Sequence, residues 1–265
     1  MFKSSNRFVL GVAVLLGVNA FFVFAEEDGK QIMQKSQDAM TVDGSESVST
    51  LTINDGKGNQ RVRKFSSATK KISKDLTKSV MRFLEPADVK GTGILTFDYE
   101  SKDDDMWLYM PALRKVRRIV SSEKTKSFMG SEFTNSDITN PNIDEYSYKL
   151  IGIENLNNVE CLKIEITPAT KDIANAYGYS KKIAWIGKAD YVARKNEYYD
   201  LDGKLLKVMN VKAVKLLDEK NKKYQTTNAV MENKQNGRSS GFVVEKVVLN
   251  SNVKEEYFTT DYLQK

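Results

Sequence analysis

Histidine is absent from all 265 residues, and cysteine occurs once. Without histidine the chain lacks the general base that serine and cysteine hydrolases use, and it lacks the commonest zinc ligand. The single Cys161 excludes an internal disulfide and a multi-cysteine metal site. It lies in the alternating segment ECLKIEIT, where we expect a half-buried structural thiol. The composition argues against an enzyme, and we expect no cofactor and no metal.

Acidic residues cluster in two places, and neither has the spacing of a catalytic or calcium site. Asp103, Asp104 and Asp105 are adjacent, but successive strand residues point to opposite faces, so the three side chains cannot converge on one substrate. The segment TNSDITNPNID at residues 134–144 offers oxygen ligands without the spacing or the closing glutamate of a calcium hand. We therefore expect a turn at the first cluster and a loop at the second.

Hydrophobic residues make up 40% of the chain and charged residues 29%, which is typical of a soluble globular protein and argues against general disorder. All-β barrels of this length are often single domains. The net charge of +6 is spread along the whole chain among acidic residues. A mixed, solvated surface is the simplest interpretation, although a mild basic excess can also help a protein approach an anionic membrane.

The first 25 residues have the pattern of a signal peptide. Lys3 and Arg7 precede an apolar run from Phe8 to Phe24, and small residues before Ala25 suit signal peptidase. We expect cleavage after Ala25, and residues 1–25 are then absent from the exported protein. The alternative is an uncleaved anchor, because the apolar run lies near the short limit for crossing a bilayer.

The densest structural signals lie between residues 83 and 133. Leu95, Phe97 and Tyr99 repeat with the period of two that a strand imposes on its faces. The polar segment SKDDD at 101–105 follows, and the apolar run MWLYM resumes after it, so the two runs predict a hairpin. Both faces of the second run are apolar. Both faces must therefore be covered, or one must bind an apolar guest.

Further alternating segments extend the strand pattern on both sides of this region. Pro111 ends the second run, and the basic segment LRKVRRI at 113–119 predicts a third strand. Turn signals such as DGKG at 55–58 join other candidates, and we count about eleven strands in all. Residues 28–40 have the apolar spacing of an amphipathic helix, whose methionines belong either to the core or to a lid.

Three motifs at short gaps support a family resemblance: PADVKGTG at 86–93, WLYMPALRKVRRI at 107–119 and SFMGSEF at 127–133. Together they resemble the signature region of the LolA-like outer-membrane lipoprotein-sorting proteins. The resemblance implies a mainly β fold with a few helices, in which an incomplete, half-open antiparallel β-barrel of about 11 strands wraps over lid helices. It implies that residues 26–265 form one such domain, located in the periplasm.

The resemblance and the two-sided apolar strands together suggest a site for acyl chains. The candidates for its wall or lid, which can equally be plain core, are Leu95, Phe97, Trp107, Tyr109, Phe128 and Met129. We expect Arg114, Arg117 and Arg118 to contact lipid headgroups or membrane partners, with solvation of a strand edge as the alternative. Basic residues near aromatic ones also suit single-stranded nucleic acid, but export argues against that partner.

The function that these features favour is a periplasmic carrier, and its partners are inferred from the resemblance alone. Such a carrier binds lipoprotein acyl chains or other lipids in a hydrophobic cavity and moves them between an inner-membrane donor complex and an outer-membrane acceptor. We expect a monomer with transient membrane contact and no bound nucleic acid. The alternative is a periplasmic module that senses lipid or lipoprotein within a signalling or transport complex.

Overall fold

The computed structural model describes residues 28–265, and the predicted signal peptide lies outside the described residues. The helices are α1 (Gly29–Met40), α2 (Lys171–Tyr177) and α3 (Thr260–Leu263). The strands are β1 (Gly44–Asn54), β2 (Gln60–Lys71), β3 (Leu76–Glu85), β4 (Gly93–Tyr99), β5 (Asp105–Met110), β6 (Lys115–Ile119), β7 (Tyr146–Leu156), β8 (Val159–Pro168), β9 (Lys181–Gly187), β10 (Ala193–Tyr199), β11 (Leu205–Asp218), β12 (Lys223–Asn233) and β13 (Ser239–Leu249). No helix in this part of the chain is long and apolar enough to span a bilayer.

The thirteen strands form one antiparallel sheet in the order β6-β5-β4-β3-β2-β1-β13-β12-β11-β10-β9-β8-β7. Strands β1–β6 form one meander and strands β7–β13 form another, and the pairing of β1 with β13 joins them. β6 and β7 lie at the two ends of the order, so the sheet is not closed into a barrel. The predicted half-open fold is confirmed, with thirteen strands where the sequence indicated about eleven.

The first hairpin shows why the predicted turns form. Asp55 Oδ1 accepts hydrogen bonds from the backbone N–H groups of Lys57 and Asn59, at 2.8 and 3.1 Å, and these bonds close the DGKG turn. In β1, Leu51 and Ile53 are buried while the residues between them are partly exposed. The alternation therefore places one face of the strand in the core, as the period of two predicts.

The third predicted strand is shorter than the sequence indicated. Pro111–Leu113 form a single 3-10 turn after β5, and Arg114 follows with a left-handed φ of 47°. Only at Lys115 does the chain return to extended backbone and pair with β5. The predicted start at residue 113 was wrong because the turn after Pro111 uses two more residues than the apolar pattern suggests.

The predicted N-terminal helix is confirmed as α1, and it lies on the inner face of the sheet. Asp28 caps its first turn by accepting from the backbone N–H of Lys30. Ile32 is fully buried in a core that also receives Ile94 from β4 and Ile164 from β8. Because one cluster receives side chains from both meanders, the sheet curves around it. We call the face that carries this cluster the inner face.

The C-terminal segment covers the opposite, outer face of the first meander. Val253, Phe258 and Leu263 pack in a separate cluster with Val80 of β3 and Leu95 of β4. Thr259 caps α3, its Oγ1 accepting from the backbone N–H of Tyr262 at 3.1 Å. The two sides of β4 and β5 are thus covered by different parts of the chain.

Candidate functional site

The inner face is filled at its centre by the connection between β6 and β7, residues 120–145, which we call the plug. The plug contains short 3-10 turns and no longer regular element. Its Phe128 packs against Phe83 of β3, with ring centroids 6.5 Å apart, and its Phe133 packs against Phe242 of β13 at 5.9 Å. The plug therefore occupies the apolar volume that the curved sheet would otherwise offer to a guest.

Polar contacts with strands β12 and β13 and with the turn between them tether the middle of the plug. Arg238 donates from Nη2 to the carbonyl oxygen of Gly130 at 3.0 Å, and its Nε lies 2.8 Å from Oε1 of Glu132. Asn233 donates to the other oxygen of the Glu132 carboxylate at 2.9 Å. Ser240 accepts from the backbone N–H of Glu132 at 3.0 Å. The side chain and the backbone N–H of Glu132 are thus held by three neighbours, one of them a cation.

The adjoining turn of the plug is held from the other meander. Met129 has a left-handed φ of 52° and is followed by Gly130 at 77°, which makes a tight turn. Arg63 of β2, a buried residue, donates from Nη1 to the carbonyl oxygen of Met129. Contacts from β2 and from the β12–β13 turn therefore converge on one short stretch of the plug.

A buried ion pair anchors the following turn. Lys207 Nζ of β11 lies 2.6 Å from Oδ2 of Asp137, and the two side chains are only 3% and 4% exposed. Lys207 also donates to the carbonyl oxygen of Glu132 at 3.1 Å. Burial alone would raise the pKa of Asp137, but the charges of Lys207 and Lys182 outweigh it, so this pKa is lowered. Asp137 is therefore held as a carboxylate inside the protein.

Lys182 of β9 is a second cation in the same interior. Its Nζ faces the rings of Tyr146, Tyr179 and Tyr198 at 5.8, 5.1 and 5.2 Å from their centroids. Burial lowers the pKa of Lys182 to about 8; the charge of Asp137 opposes this shift. Two lysines thus share one carboxylate, and the second lysine is stabilised mainly by aromatic faces.

We expect the Lys182→Met variant to be more stable than the unmodified protein near neutral pH. The folded-state pKa lies below the usual value for lysine, so the charged form destabilises the folded protein below about pH 8, by up to about 3 kcal/mol. As pH rises from about 8 toward 10.5, the folded protein loses this proton first and the penalty disappears. Urea unfolding of both proteins at about pH 7 and pH 9.5 measures the difference, which must shrink at the higher pH.

The neighbouring Lys181→Met variant is the matched control for this experiment. Lys181 pairs with Glu165 at 3.2 Å near the surface, and its side chain is 38% exposed. Removal of that pair is expected to change the free energy of unfolding by less than about 1 kcal/mol, with no dependence on pH in this range. If Lys182→Met changes the free energy of unfolding no more than Lys181→Met does, then the charge of Lys182 does not destabilise the folded protein.

The far end of the plug is held at the rim of the sheet. Asn140 donates from its backbone N–H and from Nδ2 to one carboxylate oxygen of Asp98 in β4, at 3.0 and 2.8 Å. Burial and the nearby charge of Asp104 raise the pKa of Asp98 to about 7. Gln37 of α1 donates to the carbonyl oxygen of Pro141 at 2.7 Å. The plug and α1 are therefore tied to each other at this rim.

Of the six residues predicted to line a ligand site, the structure places two in the plug. Phe128 is buried in the inner cluster, and Met129 packs against that cluster from its edge. Both lie between the sheet and the solvent, in the position of a cover. A role in ligand binding stays a prediction for these two residues.

The other four predicted residues lie on the outer face. Leu95 is buried in the outer cluster, and Phe97, Trp107 and Tyr109 pack against it. The rings of Phe97 and Trp107 are 5.0 Å apart in an edge-on arrangement. The structure therefore does not bring the six residues together, because alternation along β4 and β5 directs these four away from the plug.

The three predicted arginines lie on or beside the edge strand β6. Arg117 pairs with Glu123 at 2.8 Å, and Arg118 pairs with Asp105. Arg114 is exposed at the turn before the strand. Two of the three charges are thus partly neutralised by carboxylates within the protein. Contact with headgroups or partners remains a prediction.

Sequence reasoning missed the interior charges, namely Asp137, Lys182 and Lys207. Asp137 had been considered only as a member of a loop rich in oxygen ligands. Among residues 28–265, no group of three or more histidine, cysteine, aspartate or glutamate side chains is arranged to hold a metal ion. The available signal was a lysine at an inward position of an otherwise apolar strand, but this signal needs the register of the strand, which the sequence alone does not give.

The comparisons with known proteins cover most of this chain. A family model described as an uncharacterized protein matches residues 75–265. No curated protein matches the sequence. The matched region begins immediately before β3 and includes all three motifs, the plug and the C-terminal segment.

Three solved structures have a similar fold. A putative outer membrane lipoprotein-sorting protein domain from Vibrio parahaemolyticus is 28% identical, with a TM-score of 0.82 over 89% of this chain and 98% of that one. A DUF1329 family protein from Desulfovibrio piger is 30% identical, with a TM-score of 0.82 over 89% and 97% of the two chains. A LolA superfamily protein from Nitrosomonas europaea is 20% identical, with a TM-score of 0.67 over 89% and 100%, and this likeness concerns the fold alone.

Proposed function

Because the chain belongs to the DUF1329 family and is a LolA-like protein, we propose that it is a periplasmic carrier that binds the acyl chains of lipoproteins or other lipids on the inner face of its sheet. The proposal is for binding and transfer, with no chemical step. The lipoprotein-sorting description of the relative from Vibrio parahaemolyticus supports it.

One observation carries the proposal: the centre of the inner face is covered by a segment whose only regular structure is short 3-10 turns. The inner cluster is continuous from β4 and β5 to β8 and β9, so its apolar area is large. The plug covers the centre of this area with Phe128 and Phe133 and is tied to the wall mainly by polar contacts. Such a segment can leave as a unit while the sheet keeps its own hydrogen bonds.

The exchange of plug for guest depends on whether burial of the guest offsets the tethers that break. An acyl chain gains about 0.8 kcal/mol for each methylene that it buries, so ten methylenes gain roughly 8 kcal/mol. The guest replaces the contacts that the plug phenylalanines lose, and the residual cost is that of the broken tethers. Each neutral tether contributes about 1 kcal/mol, and the buried Asp137–Lys207 pair contributes more. Closed and loaded states of comparable free energy are what a reversible carrier requires.

The proposal also includes the cellular location of the protein and its partners. The signal-peptide pattern of residues 1–25 supports export, and the periplasm is the compartment in which lipoproteins are sorted between membranes. A donor complex in the inner membrane would load the guest, and an acceptor in the outer membrane would remove it. We assign Arg114 to contact with headgroups or with these membrane proteins, and Arg117 and Arg118 to the same surface once their ion pairs open.

The experiment that tests the proposal is extraction of lipid from the purified, exported protein followed by transfer between vesicles. We expect mass spectrometry to find acylated lipid or lipoprotein in near-stoichiometric amount. We also expect a fluorescent acyl lipid to move from donor to acceptor vesicles faster in the presence of the protein. The Lys163→Met variant, which removes an outer-face pair with Glu154 at 2.6 Å, serves as a control that should transfer lipid normally.

Two results would contradict carriage. The first is a protein that copurifies with no lipid and takes up no acyl probe. The second is a protein that binds lipid and recovers a membrane signalling protein in a pulldown but transfers nothing between vesicles, which would favour the sensing module over the carrier.

A further inference from the structure

A recess with a mixed polar and apolar lining lies on the outer face, opposite the plug. It is a half-open groove of about 410 Å³ between the C-terminal segment and strands β1–β3 and β13. Its apolar lining comes from Val48, Ala68, Val80, Val248, Tyr257 and Tyr262. The volume lies within the range of small-molecule sites, about 300–1,000 Å³. We call it the outer groove, and the thickness of the sheet separates it from the inner cluster.

A cation without a countercharge lies in the wall of the outer groove. Arg82 of β3 donates from Nη2 to the carbonyl oxygen of Tyr262 at 2.5 Å, and its guanidinium lies 5.1 Å from the ring of that tyrosine. Its Nε is buried and has no hydrogen-bond partner among residues 28–265. No carboxylate in this part of the chain forms an ion pair with Arg82. A guanidinium that lines the groove and has no carboxylate paired to it is a suitable partner for an anionic group.

The other charged residues that line the outer groove also favour an anionic ligand. Lys246 of β13 is exposed at its rim, and no ion pair of Lys246 occurs within the described residues. Glu46 is the acidic residue of the lining, and its carboxylate already accepts from Asn250 Nδ2 at 2.8 Å. The groove thus offers two cations against one occupied carboxylate. An anionic group at Arg82 and an aliphatic chain along the valines would satisfy both kinds of lining.

We propose that the outer groove is a second binding site, distinct from the inner face, for a single-chain amphiphile with an oxyanion head. The head accepts from the guanidinium of Arg82, within reach of Lys246. The tail lies against Val48, Val80 and Val248. The aromatic pair Tyr257 and Tyr262, with ring centroids 4.8 Å apart, closes the side formed by the C-terminal segment.

Photolabelling of the purified, exported protein tests this site independently of the inner one. The probe is dodecanoate that carries a diazirine near the end of its tail, and the uncharged comparison is the corresponding dodecanol. We expect adducts on peptides that contain Val48, Tyr257 or Tyr262, and about tenfold fewer from the alcohol at equal concentration. Adducts on Phe128 or Phe133 report the inner face separately. Labelling of the outer groove alone would support this site and contradict the inner carrier site.

Two variants locate the head and the tail. Val48→Phe fills the outer groove while it leaves the bond from Arg82 to Tyr262 in place, and we expect about tenfold fewer groove adducts. Val62→Phe, an exposed position on the same face outside the lining, is the matched control and should label normally. Arg82→Met should abolish the preference for dodecanoate over dodecanol.

Three outcomes would overturn the second site. They are adducts confined to the inner face, equal labelling by the acid and the alcohol, and groove labelling that Val48→Phe leaves unchanged. Any one of them would leave the unmet donor of Arg82 as a feature of packing alone.

Discussion

The Asp137→Asn variant is expected to lose about 3–5 kcal/mol of its free energy of unfolding. The substitution removes the carboxylate that lies 2.6 Å from Lys207 and leaves the buried Lys207 and the partly buried Lys182 near each other with no anion between them. An uncompensated buried charge is among the few causes of so large an effect. Denaturant unfolding followed by circular dichroism measures it as a lower midpoint at an unchanged slope.

A double variant separates the ion pair from other effects of the substitution. If the pair is the cause, Asp137→Asn combined with Lys207→Met should lose less stability than the two single variants together. Glu160→Gln removes a surface pair with Lys188, with both side chains about half exposed, and should lose less than about 1 kcal/mol. A loss of that small size at Asp137, or strict additivity in the double variant, would show that the interior tolerates these charges unpaired.

The Arg238→Met variant is expected to bind an acyl probe about 5 to 30 times more tightly than the unmodified protein. Arg238 holds the plug at Gly130 and Glu132, and loss of these contacts favours the open state by about 1–2 kcal/mol. When the binding-competent state is a minor one, its larger population raises the apparent affinity by the same factor. Titration of a fluorescent fatty acid gives the dissociation constants, and the Val48→Phe background removes binding in the outer groove.

Arg194→Met is the matched control for that titration. Arg194 also pairs with one carboxylate, Asp190, and also donates to a backbone carbonyl, that of Val192 at 2.8 Å, but none of these residues belongs to the plug. The affinity of the Arg194→Met variant for the probe should equal that of the unmodified protein. An unchanged or weaker affinity in Arg238→Met would mean that the plug does not limit access to the inner face.

The strands were predictable from the sequence because alternation and turn residues are local signals. The face of the sheet on which each side chain lies was not predictable. In β5 both the residues that point inward, such as Met106, and those that point outward, such as Trp107, are apolar, so the pattern has no polar side. What covers the outer face is the C-terminal segment, about 150 residues further along the chain. Alternation is a local property, and the choice between two apolar faces depends on this distant partner.

The candidate site was recognised only in part for a similar reason. The SFMGSEF motif and the polar stretch after it were identified, and the loop character of residues 134–144 follows from their composition. That Phe133 and Asp137 enter the interior depends on where β11 and β13 place Lys207 and Ser240. Of the adjacent residues Lys181 and Lys182, only the second faces inward, and a shift of one residue in register would reverse them.

The seam between β1 and β13 has a consequence for biosynthesis. Each meander is built from neighbouring hairpins, but residues about 200 positions apart in sequence must meet before the two halves become one sheet. On the proposed route of export through a narrow channel, the first half would emerge long before its partner, and β1 would then present an unsatisfied row of amide and carbonyl groups to the surrounding space. The nascent chain is therefore most prone to aggregate before β13, which ends at residue 249, can pair with β1. A chaperone that shields β1 would act in that interval.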